Sequence, residues 1–420
     1  MPPGWKLLGT FKPSEFSPLP DVNSTLETIL LDPAGCAPLK QLAQGKQQVV
    51  IVVDDISRPT PAYLLLGKIL DHLVAGGVDL KSVTLVTAPG LHREMTQADM
   101  ERKAGQDVLA KVGWENHDCR NSGQTVYLGK TDRGTPVYIN KTVAEADLRV
   151  LVGTIEPHPH AGFGGGFKNI LPGVAGVETI AANHAICASP KYFFMLGSDP
   201  AKNPMRLDLE QAGSMLKGET FIVNTVLNAQ MQIIGLVAGD PVKAHRQGVT
   251  LAAEVFGVRI PAQADVVITD SFPMDIDLRQ GVKAVANVLY AARPGGIIVA
   301  ALKCEEGLGN MRVPRLKLSG LPAFIWKPII WLLGVLISWI SPPGTSPEER
   351  FSTYFLLKAL LRNRIFVFLP AVASQAEGLL PGVEIFGDFQ DALKAAAKAM
   401  PHADVMIFPH GGAIYPEIEK

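Results

Sequence analysis

Apolar runs rich in Val and Ile alternate along this chain with longer segments in which apolar residues recur every three or four positions. The runs at 47–55 (QQVVIVVDD), 82–89 (SVTLVTAP), 148–153 (LRVLVG), 264–270 (ADVVITD), 296–302 (GIIVAAL), 364–370 (RIFVFLP) and 403–409 (ADVMIFP) show almost no polar alternation. Strands of that kind are covered on both faces, so they predict mostly parallel sheets. Helical patterns lie between them at 60–75, 241–256, 280–292, 347–362 and 388–400. Strand, helix, strand repetition implies α/β layering. Residues 126–140 and 221–238 read as antiparallel hairpins decorating the first half, the former turning at Asp132-Arg133-Gly134.

A chain of 420 residues is long enough for two domains or three at about 150 residues each. The break at 258–263 (VRIPAQ) separates a first α/β domain, 1–262, from a second, 263–420. Two such domains place an active site in the cleft between them. One segment stands apart: residues 321–344 form an apolar insertion whose unbroken part, 329–340, is too short to span a bilayer by itself. It suits packing on a second copy of the chain, covering of a cleft, or shallow membrane contact.

Charge narrows the function classes. Lys plus Arg number 39 against 40 Asp plus Glu, a formal charge of −1, which leaves no basic surplus for nucleic acid. Cys36, Cys119, Cys187 and Cys304 form no CxxC pair, fitting neither a disulfide framework nor a thiolate zinc site but a reducing cytoplasm. The opening MPPGWKLLGTFKPSEFSPLP lacks the basic start and apolar run of an export signal.

Four segments concentrate chemistry at strand ends or in glycine-rich loops, where α/β sheets present functional groups. The first is DDISRPTP (54–61), two carboxylates followed by a proline-started helix suited to a phosphate, or to a simple cap in which Asp55 pairs with Arg58. The second is APGLHR (88–93), which puts His92 on the side of the sheet that Asp55 occupies if the strands are neighbours. The third, EPHPHAGFGGGFKNILPG (156–173), holds His158, His160, Gly164, Gly165, Gly166 and Lys168. Its glycines permit positive φ and close approach to a ligand, and the lysine after them suits an anion or electrophile. It is not a P-loop, since no Ser or Thr follows a GxxxxGK pattern. The fourth, DIDLRQGVK (275–283), sets Gln280 and Lys283 one helical turn apart, a pair suited to a carboxylate. Asn116-His117-Asp118 reads as a loop.

Taken together, DDxxRPTP, His92-Arg93, the HxxxGxxGGxK loop leading into ILPG, His184 and QxxK resemble the nickel-pincer-nucleotide lactate racemase family over most of the chain. The resemblance implies a pyridinium mononucleotide with two sulfur-bearing arms, one joined to Lys168, its nickel held by carbon, two sulfurs and His184. Asp55, Gly165 and Gly166 would help seat this cofactor. His92 and His158 would act as acid and base on opposite sides of the substrate, while the cofactor carries the hydride step. Arg58, Gln280 and Lys283 would contact a small 2-hydroxy acid, and the enzymes that build the cofactor would be partners.

Two departures bear on substrate. Arg279 and His160 stand where lactate-specific members of the family carry aromatics, which suits a larger or doubly charged 2-hydroxy acid. Two other classes stay open at this point: a non-catalytic carrier needing only Lys168 and His184, and a zinc hydrolase using His158, His160 and Asp55.

Overall fold

In the computed structural model, residues 1–309, 323–339, 347–376 and 382–419 are described. The chain divides into two compact units: one comprises residues 15–186 and 198–255, the other residues 1–14, 187–197 and 256–420.

The first unit is built on a six-stranded sheet in the order Ile233–Gly239, Glu219–Leu227, Leu148–Thr154, Val49–Asp54, Val83–Ala88, Gly113–Asn116. All neighbours run parallel except Ile233–Gly239, which pairs antiparallel with Glu219–Leu227. The second predicted hairpin is therefore no decoration, because its first strand extends the central sheet beside Leu148–Thr154. The other hairpin, Thr125–Lys130 with Pro136–Asn140, does stand apart as a two-stranded ribbon. Every residue of Val49–Asp54 is buried, and Val49, Ile51 and Val53 join Leu85, Val150, Val152 and the helix Leu66–Ala75 in one core. That burial on both faces explains the unbroken apolar spelling.

Topology then decides where ligands are met. The chain runs from Val49–Asp54 outward to Val83–Ala88 and Gly113–Asn116, then returns on the opposite side with Leu148–Thr154. The carboxyl ends of Val49–Asp54 and Leu148–Thr154 thus flank a switch point, where crossover connections leave in opposite directions and open a crevice.

The second unit holds another six-stranded sheet, all parallel, in the order Trp5–Thr10, Ala403–Phe408, Ala264–Asp270, Ala292–Ala301, Arg364–Phe368, Val383–Phe386. The N-terminal strand, which the sequence pattern does not reveal, belongs here through its pairing with Ala403–Phe408. Of the apolar insertion, 321–322 and 340–344 lie outside the described residues; the rest forms the helix Ala323–Trp339. Ile330 and Ile337 on that helix are buried with Tyr354 and Leu357 of the helix Pro347–Arg362, while Phe324, Trp331 and Leu332 are exposed. Among the described residues no helix is long and apolar enough to cross a membrane.

Candidate active site

At the switch point of the first unit, the loop after Val49–Asp54 turns the two carboxylates to different tasks. Asp54 faces inward: its Oδ1 lies 2.6 Å from Nζ of the buried Lys103, and its Oδ2 accepts from the Thr60 hydroxyl. The Thr60 hydroxyl meets Thr154 Oγ1 at 2.7 Å, which meets Thr225 Oγ1 at 2.7 Å, so a buried polar chain ties three strand ends together. Burial pushes the Asp54 carboxyl above its ordinary value, with Lys103 pulling the other way. Lys103 also donates to the carbonyls of Asp55 at 3.1 Å and Arg58 at 3.0 Å, holding the turn between them.

Asp55 faces His92. Its Oδ2 is 2.9 Å from His92 Nδ1, and its Oδ1 accepts from Ser57 Oγ at 2.8 Å; that hydroxyl also lies 3.0 Å from His92 Nδ1. Burial alone would raise the Asp55 carboxyl, but the charge and hydrogen bond of His92, then Arg58, outweigh it and hold it well below the usual carboxylate range. A carboxylate on Nδ1 fixes the ring and favours the tautomer whose proton sits there, so Nε2 is the basic atom. The geometry thus gives Asp55 an orienting role toward a histidine rather than a cap, with Arg58 engaged by Glu156 at 3.2 Å. The His92 loop is pinned by Asn116, whose Oδ1 accepts from Thr87 Oγ1 at 2.7 Å and from the Met95 peptide at 3.1 Å. His117, read as a loop residue, is buried with Nε2 3.0 Å from the Ala175 carbonyl.

Across the switch point, the glycine loop follows Leu148–Thr154. Gly165 and Gly166 take φ of 70° and 60°, a region that side chains rarely enter. A Cβ on Gly165 would also lie 2.6 Å from Ile155 Cγ1 and 2.8 Å from Asn224 Oδ1. The Gly166 peptide donates to Asn224 Oδ1 at 2.8 Å, and Asn169 Nδ2 donates to the Val152 carbonyl at 2.8 Å. Lys168 sits on the short helical turn Gly166–Asn169, partly exposed while its neighbours are buried. His158, buried, accepts at Nδ1 from the peptides of His160 at 3.3 Å and Ala161 at 3.2 Å. That leaves the proton of its neutral ring on Nε2, the reverse of His92.

His184 lies near the end of the helix Val177–Ala185, where Nδ1 is 2.8 Å from the Ile180 carbonyl. Donation to a carbonyl places the lone pair on Nε2, the form and support typical of a ligating histidine. Among the described residues no group of three or more His, Cys, Asp or Glu is gathered for a metal. A group bringing its own carbon and sulfur donors asks for one such ligand, so His184 and Lys168 fit it. A zinc hydrolase asks for three, and Asp55 is committed to His92 and Ser57 while His158 and His160 meet edge to face at 5.5 Å.

In the second unit, Asp277 caps the turn Leu278–Gly281 by accepting from the Gln280 peptide at 2.7 Å, and the helix Lys283–Val288 continues it. Gln280 is buried; Arg279 and Lys283 are partly exposed. Sequence reading missed the groups behind the loops, Lys103, Arg206, Asn224 and His245. Their types in helices and strands carry no local signal, since each matters only through the loop it meets in space.

A family model described as lactate racemase N-terminal domain matches residues 2–193. A lactate racemase from Thermoanaerobacterium thermosaccharolyticum is 35% identical over 67% of this chain and 66% of its own length. One from Lactiplantibacillus plantarum is 33% identical over 68% of this chain and 67% of its own. The structure of the T. thermosaccharolyticum lactate racemase apoprotein superposes with a TM-score of 0.82 at 27% identity, over 98% of this chain and 95% of that one. A structural-genomics protein from Thermotoga maritima shares the fold at a TM-score of 0.70 and 16% identity, over 97% of this chain and 100% of that one. On both sequence and fold, the chain belongs to the lactate racemase family.

Proposed function

We propose that this protein is a cytoplasmic racemase or epimerase of 2-hydroxy acids that works with a nickel-pincer nucleotide attached to Lys168 and ligated by His184. The observation that carries the reading is the seat of His92, a buried carboxylate and a hydroxyl on one ring nitrogen at a sheet's switch point. When bound, the group supplies an acceptor and donor for the C2 hydrogen.

The chain's own residues move the hydroxyl proton. His92 takes it at Nε2 from one enantiomer, and the ionised Asp55 stabilises the imidazolium formed. A planar 2-keto acid results, which turns and receives its hydrogen on the other face. His158 is assigned to the opposite enantiomer. Arg58, Gln280 and Lys283 are assigned to the substrate carboxylate. Arg279 is assigned to a second anionic or hydroxyl group, because a guanidinium set against a methyl would lose charge-assisted hydrogen bonds. Partners of this reading are the enzymes that build and load the cofactor.

Protein expressed with those enzymes should carry nickel and added mass on Lys168, interconvert the enantiomers of malate or sugar acids faster than those of lactate, and keep a C2 deuterium in product. Nickel and mass without turnover on any acid would make the protein a carrier instead. Wash-in of solvent deuterium at C2 would replace hydride movement with proton abstraction.

A further inference from the structure

Arg206 occupies the first turn of the helix Pro204–Ser214, with no solvent exposure. Among the described residues its guanidinium addresses the glycine loop alone. Nη1 donates to the Gly165 carbonyl at 3.1 Å, Nη2 to those of Phe163 and, at 3.4 Å, Gly164, and Nε to that of Ala161 at 3.4 Å. Among the described residues no carboxylate lies within ion-pair distance of it; Glu210 is taken by Arg246 through bonds of 2.7 and 2.8 Å. Arg246 also donates to His245 Nδ1 at 2.9 Å, which leaves the His245 proton on Nε2, 2.8 Å from the Gly164 carbonyl.

An unpaired buried cation is costly, and here the loop's peptide dipoles offset the cost with their oxygens turned toward the charge. We propose that Arg206 is the positioning residue of the glycine loop: by holding its carbonyls inward it fixes the backbone under Lys168, and its own charge, with no carboxylate at ion-pair distance among the described residues, lends the loop a positive field suited to an anionic ligand. Arginine is suited where lysine is not, since a rigid fork reaches several carbonyls at once. Burial lowers its pKa only to about 10, Glu210 and Arg246 acting in opposite senses, so the charge persists at neutral pH. His245, kept neutral by burial, adds a donor without a second charge. The assignment of an anionic cofactor rests on the function proposed above, whereas the inward clamp and its field do not.

The test therefore uses the full chain without cofactor. Lys168 is labelled with the anionic trinitrobenzenesulfonate and with a neutral acetyl ester, and peptide masses give the ratio of the two rates relative to the exposed Lys394. A change in the lysine's own basicity cancels in that ratio. Arg206→Met should keep its fold by circular dichroism and lower the ratio on the order of ten-fold; an unchanged ratio in folded protein overturns the proposal. If Arg206→Met does not fold, Arg206→Lys decides: labelling of Lys168 slowed several-fold by both reagents upholds the clamp, and wild-type rates refute it. Wild-type protein that shows the ratio yet never acquires nickel or added mass would end the functional reading and leave the role of Arg206 standing.

Discussion

Two loops meet at the switch point of the first unit, and each is held from behind by a buried cation in a different way. The loop carrying Asp55 and Arg58 is clamped by Lys103, which has Asp54 as its counter-ion and two carbonyls besides. The glycine loop is clamped by Arg206, which among the described residues meets carbonyls only. The first cation is neutralised where it stands by Asp54; the second, with no carboxylate at ion-pair distance among the described residues, lends its field to whatever lies over Lys168. On the function proposed, both loops serve a proton-transfer histidine, and the glycine loop with its unpaired cation is also suited to hold an anion.

The histidine that Asp55 orients and the one on the glycine loop break this comparison most sharply if they are redundant. His92→Ala and His158→Ala should each cost roughly 10²- to 10⁴-fold in racemisation by loaded enzyme, measured as loss of optical rotation from a single enantiomer; near-wild-type rates in either variant would make one loop catalytically idle.

Next in size is the clamp with a counter-ion. Lys103→Met should destabilise the protein by about 3–5 kcal/mol, because Asp54 is left buried and charged, and adding Asp54→Leu should recover most of that in urea unfolding. No such partner substitution exists for Arg206. Failure of the double variant to recover would mean that the carbonyl contacts, not the ion pair, dominate on this loop too.

A smaller effect is expected at Gly213, where an added Cβ would stand 2.1 Å from the Phe167 ring, one residue before Lys168. Gly213→Ala should cost about 1–3 kcal/mol through overpacking and disturb the glycine loop while leaving the pairing of Asp55 with His92 intact.

The smallest is a pH slope. Burial holds His245 neutral, its pKa well below the usual imidazole value, with Arg206 and Arg246 adding to the effect. The unfolded chain therefore takes up a proton first as pH falls. The stability this histidine contributes is present in full well above about pH 6.5 and is lost below it, at up to about 1.4 kcal/mol per pH unit. Urea unfolding between pH 7.5 and 5 should show that slope, and His245→Gln should flatten it.

Much of the architecture was legible because burial on both faces writes a strand in plain apolar letters, as in Val49–Asp54, Leu148–Thr154 and Ala403–Phe408. Within the two six-stranded sheets, the strands that escaped are edges or short: Trp5–Thr10, Gly113–Asn116 and Val383–Phe386 are only partly buried and carry mixed residues. The site residues were legible where chemistry concentrates in a local word, such as Asp54-Asp55 or the glycines before Lys168. Their supports were not, since Lys103 and Arg206 read as ordinary helix cations until tertiary structure buries them. Helix propensity likewise overstated 280–292, which breaks into Leu278–Gly281 and Lys283–Val288 before Ala292 enters a strand.

The pairing of Trp5–Thr10 with Ala403–Phe408 has a bearing on how the chain is made. The strand Trp5–Thr10 is made almost 400 residues before its partner and must wait for it, since Ala403–Phe408 bridges it to Ala264–Asp270. Until then it is a bare edge of the kind that recruits other chains. Trimming the first dozen residues, ordinarily a harmless convenience for expression, would remove that strand and the Trp5 indole bond to the Met400 carbonyl at 2.8 Å, and transfer the same open edge permanently to the finished protein.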